Sequence, residues 1–132
     1  MEQPLHNPSP AHFLPHRFPF LQIDRIISID AGKGAQAEKL VTEAPEGFPA
    51  VLLIECIAQL AGIATGHEEG EGGFLASIDH AEFHGQACTG DLLELKSTII
   101  KSFGRLCLAE GSVSCAGRTL LTAQITLGIG RL

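Results

Sequence analysis

The sequence contains no Trp and no Tyr, a single Met, and only nine Lys and Arg against fifteen Asp and Glu. With no basic cluster and few aromatics to stack on bases, it lacks the footprint of a nucleic-acid-binding protein. Charge is scarce altogether, at 18% of residues, while 45% are hydrophobic. Such a chain buries a core instead of remaining disordered. The four cysteines, Cys56, Cys88, Cys107 and Cys115, make no C-x-x-C pair and lie in apolar or strand-like runs. They read as small core residues of a reduced, cytoplasmic protein, not as a disulfide frame or a metal site. No basic residue precedes an apolar stretch at the N-terminus, so no secretory signal is expected. The longest apolar run, residues 49–65, carries Glu55 and Gln59 and is too short and too polar for a membrane span.

What remains is 132 residues, enough for one domain. Residues 1–15 hold Pro4, Pro8, Pro10 and Pro15, which remove amide donors and predict an irregular arm ahead of a single domain over 16–132. Strand-like text follows over 18–30 and 35–42, separated by the turn Gly32-Lys33-Gly34. Pro49 suits the first turn of a helix, which is predicted from Ala50 to about Thr65. That helix is apolar nearly all round, so other elements must enclose it. A glycine-rich acidic loop, 66–73, leads into four more strand-like runs at 74–87, 92–103, 105–115 and 119–129. The order implies an α+β protein, a curved antiparallel sheet of about six strands wrapped around one long central helix.

Three stretches point to a family. His16-Arg17-Phe18-Pro19-Phe20-Leu21-Gln22-Ile23-Asp24-Arg25 is similar to the N-terminal signature of the bacterial β-hydroxyacyl-acyl-carrier-protein dehydratases, which have hotdog folds. Pro49-Ala50-Val51, followed by Glu55-Cys56 and Ala58-Gln59, resembles their central helix motif. Residues 74–91, with Ile78-Asp79, Ala81, Phe83 and Gly90-Asp91, resemble the strand after it. The resemblance implies elimination of water from a 3-hydroxyacyl thioester carried on acyl carrier protein or coenzyme A, with no cofactor. It carries the family's helix carboxylate over to Glu55 and its carbonyl-polarising amides to Ala50 and Val51.

One departure bears on the chemistry. Family members have a longer loop before the helix, and its His-Phe-Pro segment supplies the catalytic His. Here only Glu43-Ala44-Pro45-Glu46-Gly47-Phe48 joins Thr42 to Pro49, and no His lies between His16 and His67. The family's Gly at the helix start is Ala50, which adds a methyl beside the thioester's approach.

Each candidate has a plainer alternative. Glu55 is costly inside an apolar helix unless it is paired or used, so it is the first catalytic candidate; the alternative is a salt-bridged Glu or one facing a dimer seam. Gln59, one turn on, can bind Glu55 or substrate, or can be structural. Phe18 and Phe20 read as core or tunnel lining. His16 can serve as an accessory group, although pinning the arm is the simpler role. Asp24 and Arg25 read as an ion pair or as sheet-surface charges. His80, Glu82 and His84 alternate on one strand face, where a metal can bind in principle; with Ala81 and Phe83 opposite them expected in the core, a solvated outer face is the expectation, and no metal. His67, Glu68, Glu69 and Glu71 read as a hydrated loop.

Three functions follow. The first is a dehydratase-type enzyme in which another group replaces the missing His. The second is a hotdog thioesterase needing only the Glu55 carboxylate. The third is a non-catalytic acyl-binding subunit, or the partner of a complete dehydratase in a heterodimer. A homodimer or higher homo-oligomer is expected, formed through the first strand after the helix, with Glu55 facing an apolar tunnel near the seam. The net charge of −6 argues against tight docking to an acidic carrier protein.

Overall fold

The alternation of buried and exposed residues along each strand decides which face of the sheet turns inward. In β5 (Leu92–Phe103), Leu93, Leu95 and Ser97 are buried while Leu92, Glu94 and Lys96 are exposed. In β7 (Arg118–Arg131), Leu121, Ala123, Ile125 and Leu127 point the same way. The computed structural model describes residues 3–4, 10, 13–14, 21–66 and 71–131. Within them lie the remaining strands, β1 (Gln3–Pro4), β2 (Arg25–Asp30), β3 (Gly34–Leu40), β4 (Glu71–Phe83) and β6 (Leu106–Cys115), and one helix, α1 (Ala50–Ala64).

All strand pairs are antiparallel, and the sheet runs β1-β2-β3-β5-β6-β7-β4. The inward side chains of β3, β5, β6 and β7 cover α1, giving the hotdog arrangement of a sheet wrapped round one helix. Six long strands match the expectation, and β1 is a two-residue addition from the N-terminal arm, where Leu14 also joins the core. The first strand is shorter than its sequence pattern implies: residues 21–24 are not strand, and 18–20 lie outside the described residues. In β4 the reverse holds, since the strand begins at Glu71, inside the expected loop, where Glu71 pairs with Arg105 at 2.9 Å. His67 and Glu68-Glu69 lie outside the described residues.

From Leu53 to Ala64 every helical residue is buried except Glu55. Close approach to the sheet needs one special position, Gly111 in β6. A Cβ there would stand 2.5 Å from Ile57 Cγ2 and 2.7 Å from the Lys96 carbonyl. Buried Ser97 donates to the Ile57 carbonyl at 3.1 Å, so a polar sheet residue under the helix is satisfied. The helix ends where Gly66 turns to φ +67°, a conformation that glycine adopts without penalty. No helix among the described residues is long and apolar enough to cross a membrane.

One expectation is narrowed and one corrected here. Asp24 and Arg25 are exposed charges and not a pair with each other: Asp24 Oδ2 accepts the Leu40 amide at 2.7 Å, and Arg25 bonds Glu38 at 2.8 Å. Cys56 and Cys107 are core residues, but Cys88 is exposed in the turn before β5, where its amide donates to Asp91.

Candidate functional site

Glu55 sits where the helix faces β4, the edge strand, and it is half-buried between wholly buried neighbours. Gln59, one turn later on the same helix face, donates from Nε2 to Glu55 Oε1 at 2.9 Å. The Gln59 side-chain carbonyl in turn accepts the Gln22 amide at 2.9 Å. Gln59 is only 2% exposed and Gln22 is buried, so this backbone-to-carboxyl chain is screened from water. It holds one carboxyl oxygen of Glu55, which lines a pocket.

That pocket has a volume of about 420 Å³ and lies between the first half of α1 and β4. Val51, Leu52, Ile54 and Glu55 form its helix side, with Leu75 and Ile78 opposite and Gln22 at its margin. Glu55 is the sole ionisable residue among these lining groups. A carboxyl in an otherwise apolar cleft can give up or take a proton with little competition from bulk water. Next to it the helix begins without a side-chain cap at Pro49, and Leu52 already donates to the Pro49 carbonyl at 3.0 Å. Among the described residues the amides of Ala50 and Val51 have no protein acceptor. They form the positive end of the helix dipole at the pocket mouth.

Neighbouring Cys56 takes no part. Burial pushes its thiol up to about 12, so the thiolate that would be a nucleophile is not formed.

The structure thus brings together Glu55, Gln59 and Val51, with Ala50 at the helix start but outside the pocket lining. His16, Phe18 and Phe20 lie outside the described residues. The pocket residues that sequence reasoning missed are Gln22, Leu52, Ile54, Leu75 and Ile78. Gln22 stood within the N-terminal signature, but its contribution is a backbone amide, which no side-chain pattern marks.

His80 and Glu82, on the face of β4 that turns away from the helix, form an exposed cluster with His84 just past the end of the strand. Glu82 Oε1 lies 2.9 Å from His80 Nε2, and Oε2 lies 3.6 Å from His84 Nε2. The His80 contact holds the Glu82 carboxyl below its ordinary range. Among the described residues no group of three His, Cys, Asp or Glu is arranged to hold a metal ion. Phe83 corrects the expectation of a core residue. It pairs in register with buried Leu121, yet it is 49% exposed because β4 is the last strand of the sheet.

Comparison with known proteins agrees with this geometry. The family described as "FabA-like domain" matches residues 14–124. The 3-hydroxyacyl-[acyl-carrier-protein] dehydratase FabZ of Listeria welshimeri is 36% identical, over 90% of this chain and 92% of its own length. Among solved structures, the dehydratase heterocomplex ApeI:P from Xenorhabdus doucetiae superposes with a TM-score of 0.84 at 17% identity, covering 96% of this chain and 93% of the other. A hypothetical thioesterase from Streptococcus pneumoniae, solved with coenzyme A, gives 0.66 at 13% identity, covering 76% and 84%.

Proposed function

The chain belongs to the FabA-like dehydratase family, and from that premise we propose that it is the carboxylate-bearing protomer of a 3-hydroxyacyl thioester dehydratase whose base comes from elsewhere. The observation that carries this reading is Glu55, held by Gln59 and the only ionisable residue among the described residues that line an apolar pocket. Elimination breaks the Cα–H and Cβ–O bonds. A base removes the α-proton, charge develops on the thioester oxygen opposite the Ala50 and Val51 amides, and protonated Glu55 gives its proton to the departing hydroxyl. The products are an enoyl thioester and water.

The base has two sources. The two histidines among the described residues, His80 and His84, are exposed on the far face of β4 and just past its end, away from the pocket. One source is His16 of this chain, directly after the arm; the other is a His of a second chain docked along β4. A second chain fits the edge position of β4 and the exposure there of Val51 at 63% and Ile78 at 45%, both of which line the pocket. A heterodimer with a complete dehydratase would supply the His, and the neighbour in fold named as a dehydratase heterocomplex makes that arrangement the one to try first. The protein is placed in the cytoplasm, with residues 16–132 as one hotdog unit behind the arm and with acyl carrier protein or coenzyme A carrying the substrate.

Hydrolysis is the second reading. It is favoured by the single carboxylate, which suffices to activate one water against a thioester, and by the thioesterases of the same fold.

To test both, 3-hydroxybutanoyl and butanoyl pantetheine are offered to the purified protein, alone and co-expressed with a FabZ-type dehydratase whose own helix carboxylate has been replaced. Enoyl thioester should form, most strongly in the mixed sample, and Glu55→Gln should lower it by about 10²-fold or more. Thiol release that falls with the same substitution selects hydrolysis. Dehydration that persists in Glu55→Gln, or no reaction in any arm, defeats the proposal.

A further inference from the structure

The pocket beside Glu55 has an end as well as a mouth. On the helix its lining stops at Glu55, and on β4 it runs from Ile78 back to Leu75. Beyond Leu75 toward the C-terminal end of α1, the next inward positions are Gly73 on the strand and Gly62 on the helix. A Cβ placed on Gly73 would stand 3.6 Å from the Gly62 Cα, with Ile129 Cδ1 and Leu127 Cδ1 at 3.6 and 3.7 Å. The space between the two glycines therefore takes one methyl group in ordinary contact, which is too narrow for an alkyl chain to pass. The helix face leading there, Ile54, Ala58 and Gly62, advances in steps of four residues and narrows from a branched side chain to none. Half-buried Leu75 packs against the core and stands where the cleft meets this narrow seam.

We infer that Leu75, backed by the narrow Gly62–Gly73 seam, is the end wall of the acyl site and restricts this protein to short acyl chains. This rests on the acyl-thioester reading above. An alkyl chain entering past Glu55 along α1 meets Leu75 before it can reach the second half of the helix, which spans seven residues from Glu55 to Gly62, or roughly 10 Å at the helical rise. A longer chain with its thioester beside Glu55 must push Leu75 from its packing. Each methylene accepted by the pocket should tighten binding about fourfold, and a chain long enough to displace Leu75 should bind more weakly by the packing it breaks.

Isothermal titration of the full chain with butanoyl, hexanoyl and decanoyl pantetheine thioesters tests this. Wild-type affinity should rise from butanoyl to hexanoyl and then fall at least tenfold for decanoyl. Leu75→Ala should raise decanoyl relative to butanoyl at least tenfold, and Leu75→Phe should move the break to shorter chains, weakening hexanoyl. Decanoyl binding in the wild type as tight as hexanoyl, or a break at one length in all three proteins, overturns the end wall while leaving the thioester reading intact. If no thioester binds, butanoyl included, the thioester reading itself falls and the end wall with it.

Discussion

Glu55 owes its position to Gln59 more than to the helix alone. A free carboxyl at a half-buried site would sample several rotamers, whereas the Gln59 amide fixes one oxygen at 2.9 Å, and the Gln22 backbone fixes Gln59 in turn. Replacing Gln59 with Leu keeps the volume but takes away the acceptor used by the Gln22 amide and the donor used by Glu55. Chemical denaturation should show a loss of about 1–3 kcal/mol, the cost of stranding buried polar groups. The same substitution should lower turnover more than it weakens thioester binding, because the pocket walls survive while the carboxyl loses its orientation. Equal losses in stability for Gln59→Leu and Gln59→Glu, with unchanged turnover in both, would mean that Gln59 only fills space. Glu55 was legible in the sequence because a carboxylate interrupts an apolar run. Its link to Gln22 was not, because that bond spans 37 positions and depends on how the chain before β2 crosses the helix.

At the level of strands, β4 is attached to the sheet by one neighbour, and two register shifts interrupt that pairing, between Leu75 and Ser77 and between Ile78 and His80. Asp79 is the residue skipped in the second shift, and it ties the strand down. Thr126 on β7 donates to its Oδ2 at 2.7 Å, and Ser77 donates to its Oδ1 at 2.8 Å. Both bonds favour the charged form and hold the Asp79 carboxyl below its ordinary range, the Thr126 hydroxyl contributing most. A folded pKa below the unfolded one means stability that is present above the unfolded value and lost as pH falls through the folded one. Thermal unfolding should therefore move to lower temperature in acid, and Thr126→Val should flatten part of that slope below about pH 4. The effect will be small because the group is fully exposed. An unaltered slope in Thr126→Val would show that Asp79 does not anchor the edge. Composition and spacing announced β4 as a strand, but its bulges and its place at the rim follow from pairing with β7, which lies far along the chain.

For the molecule as a whole, the open question is what covers β4. Among the described residues its outer edge has no strand neighbour, Val51 and Ile78 are exposed in the pocket lining, and Phe83 is exposed at the end of the strand. A second hotdog chain docked there would bury them and close the mouth of the cleft. Sedimentation should find a dimer, and Ile78→Lys with Phe83→Lys should shift it to monomer, since charge on an edge strand blocks pairing. A dimer that survives both lysines places the seam elsewhere. The sequence by itself determined the α+β class, the order of the long strands around one helix, and the carboxylate at its centre. Each of these follows from local periodicity, proline and glycine placement, or the cost of one charge in an apolar run. Only the tertiary structure decided that Phe83 and Cys88 are exposed, that Asp24 serves a backbone amide and not Arg25, and that Leu75 and Ile78 share a pocket with Glu55. These outcomes depend on which strand lies at the rim and how closely two backbones meet, and such distances arise between residues that are remote in sequence.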